Sequence, residues 1–231
     1  MADVLILAIE TATGCGGVSL TKGGMDAGKV LAEYTLQPEV THSRRLLGSV
    51  GAMMEAAGVA WADLDGVAVS LGPGSFTGLR IGMAAAKGIA MGANLPLLGV
   101  PTLDGLAAQA TPTDLPLCCL LDARKQQVYA AFYCCEAGRW RRTSDYLAAS
   151  AEQLAQSIHE PTLLVGPGIM AGRAAFAQHP LARMAPSALL HPRAAFIGFA
   201  GATMLAQGHG NDDLVPLYVR ASEAELNLRQ Q

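Results

Sequence analysis

The apolar pattern of this chain changes period partway along and then makes the same change a second time, which few folds accommodate. Short apolar runs at 4–9, Val18–Thr21 and Val30–Leu36 are parted by Gly14-Cys15-Gly16-Gly17 and Gly23-Gly24. They read as three strands of an antiparallel meander. From Leu46 the spacing becomes three and four, through Leu47, Val50, Met53, Met54 and Ala57. That predicts an amphipathic helix over 43–57, with Ser43 as N-cap and Gly58 as C-cap. Val67–Ser70 reads as a strand, 77–93 as a helix, Leu95–Gly99 as a strand and 102–110 as a short helix. The order then starts again: strands at 117–121 and 128–133, a third near Trp140, a helix at 151–158, a strand at 162–165 and a long helix at 194–206.

A meander followed by alternating helices and strands, twice over, predicts an α/β chain of the actin-like class in two domains. This is the ASKHA, ribonuclease H-like architecture of duplicated βββαβαβα units. We place an N-terminal domain at 1–103, a smaller second domain at 104–209, and a tail at 210–231 that packs back on the first. The boundary falls in a stretch holding Pro101, Pro112 and Pro116. The second unit is short for such a fold, and its single strand-to-helix glycine turn, Gly166-Pro167-Gly168, reads as a plain connection.

Composition bears on partners. Hydrophobic residues make up 51%, charged residues 15%, and mean hydropathy is +0.30. Soluble chains average about 25% charged, so apolar surface covered by another chain is expected. A net charge of −3 argues against a free-standing nucleic-acid binder. The run Arg139-Trp140-Arg141-Arg142 reads as a solvated hairpin edge. Cys118-Cys119 and Cys134-Cys135 are adjacent pairs, whose side chains point to opposite faces of a strand, and Cys15 stands alone. Reduced thiols in the cytosol are expected. No secretory signal and no membrane span is legible.

The stretch Ser70-Leu71-Gly72-Pro73-Gly74-Ser75-Phe76-Thr77-Gly78-Leu79-Arg80 reads as a strand, a stiff turn and a helix start capped by Ser75 or Thr77. Gly72, Gly74, Ser75 and Thr77 are candidate anion ligands, since a helix N-terminus suits an anion; a purely structural turn fits equally. It is not a Walker A loop, because Gly-Lys-Ser/Thr is missing. The helix that follows is rich in small residues: Gly82, Ala86, Gly88, Ala90 and Gly92. Each interior glycine costs roughly 1 kcal/mol, which makes sense where another backbone comes close. A face built from Leu46, Leu47, Val50, Met53, Met54, Gly82, Ala86 and Gly88 is therefore the candidate partner interface. Burial in the chain's own core is the competing reading.

No catalytic or metal-ligating constellation stands out. His42 has no histidine at i+4, His159, His179, His191 and His209 are scattered, and no Cys–His pairing has a convincing setting. Asp122-Ala123-Arg124 fits a salt-bridged hairpin corner as well as a contact with RNA or a partner, and Arg124 and Lys125 could touch phosphate.

Several blocks, in order, resemble the TsaB (YeaZ) family: Ile6–Thr13, His42–Leu47, Ser70–Gly82, Gly99–Ala107, Asp122-Ala123-Arg124 with Val128-Tyr129, and Pro216–Arg220 with Glu223-Ala224-Glu225. The resemblance implies an actin-like fold and a cytoplasmic, non-catalytic subunit that activates the catalytic paralogue TsaD. The TsaE ATPase joins them, and threonylcarbamoyl is transferred to tRNA. ATP and metal are then expected on the partners, with none held here, and the isolated chain is expected to self-associate. Where phosphotransferases of this fold end the first strand in Asp, this chain has Glu10, one methylene longer. A stand-alone ATP-dependent kinase or hydrolase on the same fold is the alternative; a peptidase reading finds no nucleophile–base pair.

Overall fold

The computed structural model describes residues 3–36, 42–186, 191–210 and 213–220. The side chains of 42–45 fall outside that description, and with them the readings of Ser43 as cap and of His42; Glu223-Ala224-Glu225 lies outside it too.

The first half runs β1 (Leu5–Glu10), β2 (Gly16–Lys22), β3 (Lys29–Leu36), α1 (His42–Ala57), β4 (Gly66–Gly72), α2 (Phe76–Ala93), β5 (Leu97–Pro101) and α3 (Thr102–Gln109). The second runs β6 (Leu117–Asp122), β7 (Gln127–Glu136), β8 (Arg139–Arg142), β9 (Leu147–Ser150), α4 (Ala151–Gln156), β10 (Thr162–Val165), α5 (Gly168–Ala171), α6 (Arg173–Gln178), β11 (Ala182–Met184) and α7 (Ala194–Ala206). β9, α5, α6 and β11 escape sequence reading because three or four residues, or six in α6, carry too little periodicity.

The first sheet has the order β3-β2-β1-β4-β5 and the second β11-β10-β6-β7-β8, with β9 beside β7. Each centres on its first strand. β1 is antiparallel to β2 (Leu7 opposite Leu20) and parallel to β4 (Leu7 opposite Val67). β6 is antiparallel to β7 (Cys119 opposite Ala131) and parallel to β10 (Cys118 opposite Leu164). One plan is thus built twice, which is the duplicated actin-like architecture. Cys118 and Cys119 are buried in cores on opposite faces of the second sheet, where desolvation pushes both thiols up.

The domain limits drawn from sequence need one correction. α1 and α2 cover one face of the first sheet, through Val50, Met53, Met83 and Ala86. Its other face is covered by α7, from the far end of the chain, where Ile197 and Ala202 pack on Ile6, Ala8 and Ala68. Conversely α3 places Leu103, Leu106 and Ala107 in the core of the second sheet, against Leu117 and Cys119. Each half sends its last helix to the other. α7 is apolar on every side, as a helix enclosed between layers must be. A Cβ at its Gly201 would lie 2.7 Å from that of Ala68, so this helix reaches the sheet only because glycine stands there.

Candidate functional site

β1 and β6, the central strands, end at the joint between the lobes, each in a carboxylate. Both fold back on their turn in the same way. Glu10 Oε1 accepts from the Ala12 N–H at 2.6 Å, and Asp122 Oδ1 accepts from the Arg124 N–H at 2.7 Å. Asp122 thus caps the backbone of its own turn. Between the two turns lies a cleft of about 570 Å³, lined by Ala12–Gly14 on one side and Asp122–Arg124 on the other, with Thr77, Met170, His191 and Tyr218 around it. In the second turn Arg124, Lys125 and Gln126 all take positive φ (64°, 51° and 59°). Three such residues in succession are uncommon without glycine.

The two carboxyls differ in burial. Glu10 is 1% exposed, and its Oε2 has no hydrogen-bond partner. Burial pushes its pKa up to about 8, although bonds from Ala12 and Ser70 pull it down. Near neutrality it is a protonated acid. Asp122 is exposed. Beside Glu10, Cys15 Sγ lies 3.5 Å from His191 Nδ1, a pairing across 176 positions that sequence reading missed. Burial, and then the Glu10 carboxyl, push this thiol up, so it is held as thiol rather than as the thiolate a nucleophile needs.

The candidate anion ligands separate. Gly74, Ser75 and Thr77 line the cleft, but Gly72 faces inward: its N–H donates to Thr102 Oγ1 at 3.1 Å. Ser75 is the N-cap of α2, its Oγ accepting from the Gly78 N–H at 3.3 Å and its N–H donating to the Ala12 carbonyl at 2.6 Å. Gly72 and Ser75 are thus engaged within the chain.

The candidate interface needs a larger correction. Leu46, Val50, Met53, Met54, Gly82 and Ala86 are buried in the chain's own core; only Leu47, 60% exposed, and Gly88 face outward. Periodicity found the apolar stripe of each helix, and that stripe packs on the sheet. A Cβ at Gly82 would collide with Thr11 Oγ1, so this glycine serves contact between α2 and β1. Among the described residues, nothing lies within 4 Å of where a Cβ would stand at Gly48, Gly51, Gly88 or Gly92. They share the outer faces of α1 and α2 with Leu47, Ala52, Ala84 and Met91.

The basic run is engaged within the chain. Arg139 pairs with Asp26, Arg141 bridges both Glu136 oxygens at 3.0 and 2.9 Å, and Arg142 lies 4.1 Å from the Tyr146 ring. Trp140 Nε1 donates to the Ala110 carbonyl at 2.9 Å. Across the front of the joint run residues 213–220. The Leu217 N–H donates to the Leu71 carbonyl at 2.7 Å, Tyr218 stacks on Phe76 at 5.1 Å, and Arg220 Nη1 donates to Gln127 Oε1 at 2.7 Å. No sequence signal marks Phe76, Tyr218 and Gln127 as neighbours. Among the described residues no three His, Cys, Asp or Glu side chains are grouped to hold a metal, and no helix is long and apolar enough to cross a membrane.

The sequence model of the TsaD family, described as tRNA N6-adenosine threonylcarbamoyltransferase, matches residues 29–228. The tRNA threonylcarbamoyladenosine biosynthesis protein TsaB of Bacillus subtilis is 29% identical, over 95% of this chain and 96% of its own length. TsaB of Escherichia coli is 39% identical over 55% of this chain, and the match spans about half of that relative (54%). The solved structure of YeaZ from Pseudomonas aeruginosa superposes with a TM-score of 0.77 at 25% identity, covering 94% of this chain and all of that one.

Proposed function

Since this chain belongs to the TsaD family, and the relatives that match most of its length are TsaB and YeaZ proteins, we propose that it is the activating, non-catalytic subunit of a tRNA threonylcarbamoyladenosine transferase. It docks a TsaD-like catalytic paralogue, with a TsaE-like ATPase joining and tRNA shared through the complex, in the cytoplasm. ATP and metal are held by the partners.

The observation that carries the docking reading is the set of glycines facing out. Interior helix glycines cost roughly 1 kcal/mol each relative to alanine. Gly82 has a reason inside the molecule; Gly48, Gly51, Gly88 and Gly92 have none. A partner helix laid against the outer faces of α1 and α2 supplies one, because missing side chains let two backbones approach. In the isolated chain the same face supports pairing with a second copy. The non-catalytic reading is supported by Glu10, which is neutral near pH 7 and offers no charge at the first-lobe corner of the cleft.

Reconstitution decides it. Paralogue, ATPase, tRNA and the threonylcarbamoyl precursors are combined with and without this chain, and modified adenosine is measured. Modification is expected to fall to background without it; full modification in its absence refutes the proposal. The alternative, a stand-alone ATP-dependent kinase or hydrolase, has the cleft of about 570 Å³ in its favour. It requires ATP turnover by the purified chain alone.

A further inference from the structure

Residues 213–220 cross the cleft and are fastened at both ends. On the first lobe the Leu217 N–H donates to the Leu71 carbonyl, and its own carbonyl fills the space beside Gly72, where a Cβ would lie 2.6 Å away. Tyr218 stacks on Phe76; the Arg80 guanidinium sits 3.8 Å over that phenyl ring and donates from Nε to the Tyr218 hydroxyl at 3.2 Å. On the second lobe the hold is Arg220 on Gln127, at the start of β7 and beside the strained turn of Arg124, Lys125 and Gln126. The segment itself is shallow: Val215 is 72% and Tyr218 42% exposed. A stretch with few buried contacts opens locally at far less free energy than the whole fold.

The other described ties between the lobes lie deeper, where helices pack. There α3 packs against α7 and its Thr102 Oγ1 accepts from the Gly72 N–H at 3.1 Å, while Arg139 pairs with Asp26. A joint held by packed helices within and by a shallow strap at its surface opens first at the strap.

We propose that residues 213–220 are a releasable latch that sets the separation of the two carboxylate turns, and that Arg80 is its release point. Arg80 is exposed on α2, one helical turn before Ala84 and two before Gly88, on the same outward row. A carboxylate presented along that row takes the guanidinium from Phe76 and Tyr218 together, and the first-lobe end of the latch comes free. This reading does not depend on what the protein's partners are.

Hydrogen exchange on the full chain tests it, each variant being read on the lobe it does not touch. Tyr218→Ala and Arg80→Ala alter only the first-lobe end, and each should speed exchange of 122–126 at least ~10-fold, as an easier local opening does. Gln127→Ala alters only the second-lobe end, and should speed exchange of 12–14 and of Leu217. Tyr218→Phe keeps the stack and loses the hydroxyl, and should fall between wild type and Tyr218→Ala; it also serves if the alanine variant fails to fold. Faster exchange confined to the altered lobe, or none, overturns the latch and makes the strap a passive tail.

Discussion

The two lobes share a plan and differ in what covers it. In each, the central strand ends in a carboxyl that bonds the N–H two residues on. In the first lobe the crossover from β4 continues into α2, 18 residues long, whose start lies on the β1 turn; a Cβ at Gly78 would collide with the Thr11 carbonyl. Glu10 is sealed beneath it and holds its proton to about pH 8. In the second lobe the crossover from β10 gives α5, only four residues before Gly172, and Asp122 stays open to solvent. Topology sets the turn geometry, while helix length above it sets the burial of the carboxyl.

The comparison can be broken at its tightest contact. Gly82→Leu drives a side chain into Thr11 and should destabilise the chain by about 3 kcal/mol in urea unfolding, as overpacking does; near-wild-type stability would mean α2 does not press on β1 as described. Of at least comparable size is Glu10→Gln. The Glu10 pKa rises from 4.5 to about 8 on folding, so the folded state keeps its proton longer than the unfolded one. Its contribution is full below pH 4.5 and is lost as pH rises through about 8. Glutamine carries no such proton, so the variant's advantage over wild type should grow across that window by about 1.4 kcal/mol for each pH unit. A flat difference would mean Glu10 is ionised in the fold.

In the open corner, Asp122→Ala removes one capping bond and should cost about 1 kcal/mol, a smaller effect than the buried corner shows. Smallest for stability is Gly88→Leu. Facing solvent, it should leave unfolding within about 1 kcal/mol of wild type, toward stabilisation, while binding of the paralogue and self-association fall at least tenfold. Gly82 and Gly88 then read as one helix with two purposes, and unchanged affinity for Gly88→Leu would remove the docking face.

Much of the architecture was legible along the chain. The period change at Leu46, the glycine turns and the predicted helix at 194–206 all appear where local pattern places them, because side-chain spacing and turn chemistry act over a few residues. Most residues read from sequence as a partner interface are buried in the chain's own core. Periodicity identifies the apolar stripe of α1 and α2, and a stripe of that strength is what a helix buries first, so Val50 and Met53 went to the core. The glycines on the opposite side recur at the same spacings of three and four, so they are told apart from the buried ones only once the space around each is known.

By itself, then, the sequence determined two copies of one strand order and the elements that build them. Tertiary structure alone decided that α3 and α7 would trade lobes, that Glu10 would be neutral while Asp122 lies open, that Cys15 would meet His191, and that Tyr218 and Arg220 would bridge the joint. Each of these depends on groups brought together from distant positions, whose burial and neighbours exist only after the chain has closed on itself.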